Sequence, residues 1–329
     1  MQQAESPFAV LLSLLFTVLA AFGVAYWAYR ARTDRSAFVG LYLLFGIPGG
    51  LLLVAGTAVA VRNDPRLGSL LLAIGLALAV PLLRPVRAAL ARVLPIDADS
   101  PMDMTGLTLV LVVIAFNGAP LLFPESAQPP DPSLIPSVGY LELIAQGAAF
   151  LAIAYLAVGW PVPRFDRERD LPYVRTAQEA TRRLGIVMPD LRTIAVGVGA
   201  VIPCFLLAGI VGVIGNALQP GLDEGLNEVV EQISGNVQTI PGALVLGLSA
   251  GIGEEAIFRG ALQPRLGIGL TSVCFALLHG AQYGLNASIV GLFLVSVVLG
   301  LERKYLNTTA AIITHALFNF IQVAALSLM

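Results

Sequence analysis

Long apolar stretches recur along the whole chain and restrict it to one kind of fold. A helix needs about 20 consecutive apolar residues to cross a hydrocarbon core about 30 Å thick. Ten stretches approach this length, near residues 8–29, 38–61, 67–83, 104–124, 139–160, 193–218, 239–263, 268–284, 286–301 and 308–328. With 57% hydrophobic and only 12% charged residues, the chain has too little polar surface for a soluble protein of this size. The sequence therefore predicts an all-α, polytopic transmembrane bundle of eight to ten helices, with ten as the preferred count.

Basic residues are distributed unevenly between the loops and predict the orientation of these helices. If the N-terminus lies outside, sixteen of the nineteen lysine and arginine residues, Arg265 among them, fall in cytoplasmic loops. Only Arg62 and Arg66 fall outside, and Arg259 lies within a helix. The external loops 124–132 and 223–231 carry acidic residues and no basic ones. Because cytoplasmic loops carry the excess of lysine and arginine, we expect a multi-pass protein of the cell membrane with both termini outside.

The chain divides into three predicted regions. Residues 1–160 form an N-terminal transmembrane scaffold of about five helices, and residues 193–329 form a C-terminal domain. A polar connector, 161–192, joins them. Within it, apolar and basic residues recur at helical spacing on opposite faces of one predicted helix. The apolar face has Tyr173, Ala177, Ala180 and Leu184, and the basic face has Arg175, Arg182 and Arg183. This pattern is typical of a short amphipathic helix on the cytoplasmic face, and a solvated linker is the alternative.

The polar groups that stand out are concentrated in the last apolar stretches. Glu254 and Glu255 lie in stretch 239–263, and the only two histidines, His279 and His315, lie in stretches 268–284 and 308–328. An ionisable group at the centre of a bilayer costs roughly 2.5 to 3.5 kcal/mol. With a rise of about 1.5 Å per residue, these groups and Asn319 reach one level of the membrane. They indicate either a functional site or a buried structural network.

Spacing along each helix suggests how these groups are supported. Glu255 and Arg259 are four residues apart and share one helix face, so we expect a charge-neutralising ion pair between them. Glu254 then has no partner on its own helix. The segment Gly247–Gly251 presents two small residues four apart, which predicts a close approach by another helix just beside Glu254.

Three kinds of chemistry fit this set of residues. A carboxylate and an imidazole can deprotonate a water molecule, while a second imidazole and an amide donate to an oxyanion, as in hydrolysis of a peptide bond. Alternatively, Glu254, His279 and His315 form a carboxylate-plus-two-imidazole set of the kind that binds catalytic zinc, although the HExxH signature is absent. Proton-coupled transport also uses buried carboxylates and histidines, but helices 1–5 contain no matching set.

Three motifs resemble those of the CAAX-protease and bacteriocin-processing family of intramembrane endopeptidases, the CPBP or ABI family. They are EExxxR at Glu254, Glu255 and Arg259, FxxxH at Phe275 and His279, and HxxxN at His315 and Asn319. The resemblance covers roughly residues 239–329, which are the motif core of the domain 193–329. It implies a C-terminal four-helix catalytic core similar to that of type II CAAX prenyl endopeptidases.

The resemblance also implies a role for each residue. Glu254 and His279 would activate the attacking water, and His315 and Asn319 would stabilise the oxyanion. Glu255 and Arg259 would orient the site, and Phe275 would support it. The family is also named as metalloproteases, so a divalent metal such as zinc stays open as a cofactor, although water activation by Glu254 and His279 needs none.

The sequence therefore predicts a Glu- and His-dependent intramembrane endopeptidase that opens toward the cytoplasmic leaflet. Its partners would be the lipid bilayer and a membrane-associated protein or peptide substrate, with no nucleic acid. A non-catalytic membrane interaction or immunity protein is the alternative, and a proton-coupled transporter is a further one. Prenylated tails, peptide precursors and membrane-anchored regulators would all present a suitable peptide bond.

Overall fold

The protein is a bundle of α-helices in the computed structural model, which describes residues 7–62, 64–158 and 176–328. No strand occurs among these residues. The helices are α1 (Pro7–Arg30), α2 (Arg35–Val61), α3 (Pro65–Ala79), α4 (Arg84–Leu90), α5 (Pro101–Gly118), α6 (Tyr140–Ala157), α7 (Ala177–Leu184), α8 (Leu191–Gly199), α9 (Val201–Leu218), α10 (Leu222–Ser234), α11 (Ile240–Glu255), α12 (Gln263–Leu278), α13 (Gly280–Tyr283), α14 (Ala287–Tyr305) and α15 (Thr308–Leu326). A π-helical segment, Ala256–Leu262, joins α11 to α12. The predicted all-α membrane bundle is confirmed.

By length and composition, eight helical segments of the described chain could cross a membrane. They are Phe8–Arg30, Arg35–Val61, Pro65–Leu82, Pro101–Leu122, Tyr140–Ala157, Leu191–Leu218, Ile240–Tyr283 and Thr308–Leu326. The preferred count of ten is not confirmed. Ile240–Tyr283 joins two predicted stretches, with a break at Gly267, whose φ of 73° and ψ of 169° suit glycine. The α14 helix is not among the eight, and three of its last four residues are charged, namely Glu302, Arg303 and Lys304.

Polar caps begin the two helices that carry most of the candidate site. The Thr239 side chain accepts a hydrogen bond from the backbone N–H of Gly242 at the start of α11. The Asn307 side chain accepts one from the N–H of Ala310 at the start of α15. Such caps satisfy backbone donors that a helix leaves free at its N-terminus. They therefore define where each helix begins and how far along it the site residues lie.

Close packing of α11 against its neighbours depends on glycine. A Cβ atom on Gly247 would collide with the carbonyl oxygen of Ala316 in α15, and one on Gly251 would lie 3.0 Å from the nitrogen of Ala316. A Cβ on Gly253 would lie 2.9 Å from the backbone of Gly147 in α6. The predicted close approach at 247–251 is therefore confirmed, with α15 as the partner helix.

The helices of the C-terminal region form one packed group, to which the N-terminal region also contributes. The α11 helix packs mainly against α15 and then against α6, while α12 packs against α14, and α14 against α15. Helix α6 belongs to the region predicted to be scaffold. The boundaries 1–160, 161–192 and 193–329 remain a prediction, but a wall of the core comes from the first of these regions.

Loops that the sequence assigns to the same side contact each other in the bundle. At one end, Arg66 forms a 2.5 Å ion pair with Glu125. At the other end, the N–H of Thr308 donates to the carbonyl of Gly185 over 2.9 Å. We call these the α10 end and the α7 end, after the short helices that lie there. Which end faces the cytoplasm remains a prediction.

Two features at the α7 end differ in detail from the sequence expectations. Arg265, counted among the cytoplasmic loop residues, is buried and pairs with Asp103 over 2.9 Å. It supports the packing of α12 on α5 and is not a loop charge. Helix α7 is present in the predicted connector, where Ala180 and Leu184 are buried in the protein. Tyr173 and Arg175, which were part of that amphipathic pattern, lie outside the described residues.

Candidate active site

A π-helical segment follows Glu255 and changes the backbone geometry at the candidate site. In this segment, Ala256–Leu262, the backbone makes wider turns than an α-helix. Such segments are rare and frequently occur at functional sites. The segment carries Arg259, which still reaches back to Glu255. The sequence offered no signal for this change of helix type.

The carboxylate of Glu255 joins two helices through two basic groups. Its Oε2 atom lies 3.1 Å from Nε of Arg259, in an ion pair without hydrogen-bond alignment, and both side chains are fully buried. Its Oε1 atom accepts a hydrogen bond of 2.7 Å from Nδ1 of His315 in α15. The predicted Glu255–Arg259 pair is therefore confirmed, and its link to His315 is an additional finding.

Arg259 has further contacts that fix its guanidinium group. Its Nη2 donates to the carbonyl oxygen of Ser296 over 3.1 Å and to the hydroxyl of Ser296 over 2.9 Å. The guanidinium carbon lies 4.8 Å from the ring centroid of Phe275, within cation–π range. Arg259 thus connects the π-helical segment to α14 and α12, and through Glu255 to α15.

The imidazole of His279 is fixed by its own helix. Its Nδ1 lies 2.9 Å from the carbonyl oxygen of Phe275. A carbonyl oxygen only accepts, so Nδ1 donates, and a neutral ring then carries its lone pair on Nε2. The Phe275 ring contacts both histidines, with centroids 4.9 Å from His279 and 5.9 Å from His315. The FxxxH spacing therefore fixes the orientation of the His279 ring as well as providing a ring contact.

Glu254, His279, His315 and Asn319 all line a single cavity of about 610 Å³. Unlike Glu255, Glu254 makes no ion pair, and its buried Oε2 atom has no hydrogen-bond partner among the described residues. Among the described residues, no direct hydrogen bond joins Glu254 to His279, and both side chains line the cavity. The structure therefore brings the four predicted catalytic residues to one cavity and places Glu255 and Arg259 behind it.

Several cavity residues were missed by the sequence analysis. Gln146 of α6, Ser249 of α11 and Tyr283 of α13 line the same space. The Tyr283 ring stacks on His279 with an interplanar angle of 3° and centroids 6.2 Å apart. Tyr283 lies four residues after His279, so helical spacing could have identified it. Gln146 had no signal, because it lies in a region without any of the motifs.

The zinc alternative does not fit the side chains as they are placed. Among the described residues, no group of three or more His, Cys, Asp or Glu side chains could hold a metal ion. The Nδ1 atoms of His279 and His315 are engaged with Phe275 and Glu255, which leaves Nε2 as the only ring nitrogen of each that could bind a metal. The predicted set of Glu254, His279 and His315 lines the cavity but does not converge on one point.

Comparison with known families agrees with the motifs. Residues 236–321 match the family described as type II CAAX prenyl endopeptidase Rce1-like. The chain contains an Rce1-like domain. The match covers roughly a quarter of the chain and includes every predicted site residue. Comparisons with curated proteins and with solved structures give no match. The Rce1-like domain and the apolar helices together identify a membrane protein with a domain of a CAAX-type protease family.

Proposed function

We propose that this protein is an intramembrane endopeptidase that hydrolyses peptide bonds of membrane-associated proteins or peptides. The observation that carries the proposal is the carboxylate of Glu254, whose Oε2 atom has no hydrogen-bond partner among the described residues and which lines the same cavity as His279. Glu254 is half-buried, and a carboxylate oxygen shielded from solvent without a partner is costly, so such groups are retained mainly at functional sites. The match to the Rce1-like family supports the same reaction class.

The first step would be attack by water on the peptide carbonyl. Glu254 and the free Nε2 of His279 can each accept a proton, so a water molecule between them would be activated as a nucleophile. Its oxygen would bond to the carbonyl carbon, and the carbonyl oxygen would become an oxyanion. The proton held at Glu254 or His279 would then pass to the leaving nitrogen as the carbon–nitrogen bond breaks.

The developing oxyanion would be stabilised by His315 and Asn319, which line the same cavity. The side-chain amide of Asn319 has no hydrogen-bond partner among the described residues and is free to donate. His315 donates a hydrogen bond from Nδ1 to Glu255, so its Nε2 also carries a proton only when the ring is an imidazolium. In that state Nε2 can donate to the oxyanion, and the Glu255 carboxylate balances the charge of the ring. Arg259 positions that carboxylate and does not itself line the cavity.

The replacement Glu254→Gln tests the proposal, because it keeps the shape of the side chain and removes its basicity. Cleavage of reporter peptides by purified protein should fall by about 10²-fold or more, while the amount of folded protein stays the same. Glu142→Gln is the matched control, because Glu142 is also half-buried but caps the start of α6 outside the cavity. It should cleave at the wild-type rate.

Equal cleavage by wild type and Glu254→Gln would contradict the proposed chemistry. The alternative of a non-catalytic membrane interaction protein would then be preferred, because such a protein would tolerate the loss of one cavity carboxylate. A proton-coupled transporter predicts a different result, namely a Glu254-dependent proton flux without peptide cleavage.

A further inference from the structure

The cavity extends from the site residues in one direction only. On α11, its lining residues Leu246 and Ser249 come before Glu254, and on α15, Asn319 and Gln322 come after His315. The two helices run in opposite directions, so the start of α11 and the end of α15 lie at the same end of the bundle. The cavity therefore runs from the site toward the α10 end.

Helix α10 forms the rim of the cavity at that end. Leu222, Leu226 and Val230 recur every four residues and line the cavity along one helix face. Asp223 and Asn227 also line it and are exposed to solvent. This part of the rim is therefore reachable by a polar molecule from outside the bundle.

The same site is closed toward the α7 end. Behind Glu255 lies the buried Arg259, whose carbonyl oxygen accepts a hydrogen bond of 3.2 Å from Nε of Arg303. Arg303 also donates to the carbonyl of Arg183 over 3.3 Å, which joins α7 to the end of α14. Leu184 at the end of α7 is fully buried against this layer. A peptide has no path to the cavity through these contacts.

Charge assigns the two ends to opposite sides of the membrane. Among the described residues, most of the lysines and arginines lie at the closed α7 end, whereas α10 at the open end carries Asp223, Glu224, Glu228 and Glu231. Cytoplasmic loops carry the excess of lysine and arginine. The sequence predicted that the basic loops lie in the cytoplasm and that the cavity opens toward the cytoplasm. These two predictions conflict, because the cavity opens at the end away from the basic loops.

We propose that the cavity is entered from the extracytoplasmic side, so that its substrates are peptide segments presented at the outer leaflet. The part of this inference that concerns the substrate rests on the proposed endopeptidase function. The direction of access to the cavity does not depend on that function. Tails held at the cytoplasmic leaflet, including lipid-modified ones, would not reach Glu254. The acidic rim would favour segments that carry basic residues beside the scissile bond.

Thiol labelling tests the direction of access. Both native cysteines, Cys204 and Cys274, are buried, so a new surface cysteine would give the main signal. Asn227→Cys at the rim should react with a membrane-impermeant maleimide on intact cells, whereas Arg182→Cys, exposed on α7, should react only in inverted membrane vesicles. Glu231→Cys, also exposed on α10, replaces Asn227→Cys if that variant folds poorly. Labelling of α10 only in inverted vesicles would overturn the inference.

A pair of reporter pools separates this inference from the proposed function. Each pool carries a randomised segment beside a single membrane helix, displayed outside in one pool and inside in the other. We expect cleavage of the outside pool alone, and loss of it in Glu254→Gln. Glu254-dependent cleavage of the inside pool alone would overturn the direction and keep the protease. If neither pool is cleaved, the proposed function fails, and the labelling result still decides the direction of access.

Discussion

Removal of the Arg259 guanidinium should damage both the folding and the chemistry of this protein. Arg259→Ala breaks the 3.1 Å ion pair with Glu255, two hydrogen bonds to Ser296 and the contact with the Phe275 ring. Breaking a buried ion pair by removing one partner costs about 3 to 5 kcal/mol. That is a large part of the 5 to 15 kcal/mol by which folded proteins are typically stable. We therefore expect much less folded protein in the membrane.

A second effect should follow from the contact between Glu255 and His315. Without Arg259, the Glu255 carboxylate has only His315 as a partner, and its position in the bundle changes. A displacement of about 1 Å at a reacting group can cost roughly 10²-fold in rate. Activity per folded molecule should therefore fall by about that factor, beyond the loss of protein.

Arg265 provides a matched control. It is also fully buried and pairs with a carboxylate, that of Asp103, at 2.9 Å. This pair lies outside the cavity lining, so Arg265→Ala should lower the amount of folded protein and leave the activity of the remaining molecules unchanged. Arg259→Lys keeps the charge but loses the planar, multidentate geometry, so it should recover folding better than activity.

The assay compares folded protein, measured as the monodisperse fraction after solubilisation, with peptide cleavage normalised to that fraction. If Arg259→Ala and Arg265→Ala show the same activity per folded molecule, the contact from Arg259 through Glu255 to His315 does not position the site. If Arg259→Ala leaves the folded fraction unchanged, the reasoning about the buried pair is wrong.

Three further predictions concern the packing, the oxyanion and a helix cap. Gly247→Ala should reduce both folded protein and activity, because the added Cβ would meet the carbonyl oxygen of Ala316. Gly209→Ala is the control, because the space around its Cβ is open, and it should be neutral or slightly stabilising. Thermal unfolding in detergent measures both variants. Asn319→Ala should lower the cleavage rate by about 10² to 10³, the usual loss for one oxyanion donor, and an unchanged rate would remove Asn319 from that role. Asp34 accepts hydrogen bonds from the side chain of Ser36 and from the backbone N–H groups of Ala37 and Ser36, and these lower the pKa of Asp34 to about 2. The stabilisation that the Asp34 carboxylate gives to the start of α2 should therefore be complete above its ordinary pKa of 3.8 and be lost as the pH falls toward 2. Protection factors from amide hydrogen exchange at the start of α2, taken relative to the intrinsic exchange rate at each pH, measure this loss, and Asp34→Ala should not show it.

The sequence could predict much of the candidate site because its motifs lie on regular helices. Four-residue spacing places Glu255 with Arg259 and Phe275 with His279 on shared faces, and the structure retains both contacts. The hydrogen bond between Glu255 and His315 joins residues sixty positions apart. No periodicity within one helix contains that information, because it depends on how α11 and α15 pack.

The sequence by itself determined the class of protein, since apolar stretches of membrane length leave a chain few folds other than a helical bundle. It also determined which polar residues require a structural or functional explanation, because placing an ionisable group in an apolar helix costs free energy wherever that helix packs. Only the tertiary structure decided that Arg265 is a buried partner of Asp103, that Gln146 of α6 completes the cavity wall, and that the cavity extends toward the α10 end. These features arise from contacts between helices distant in sequence, and neither hydropathy nor spacing along one helix specifies them.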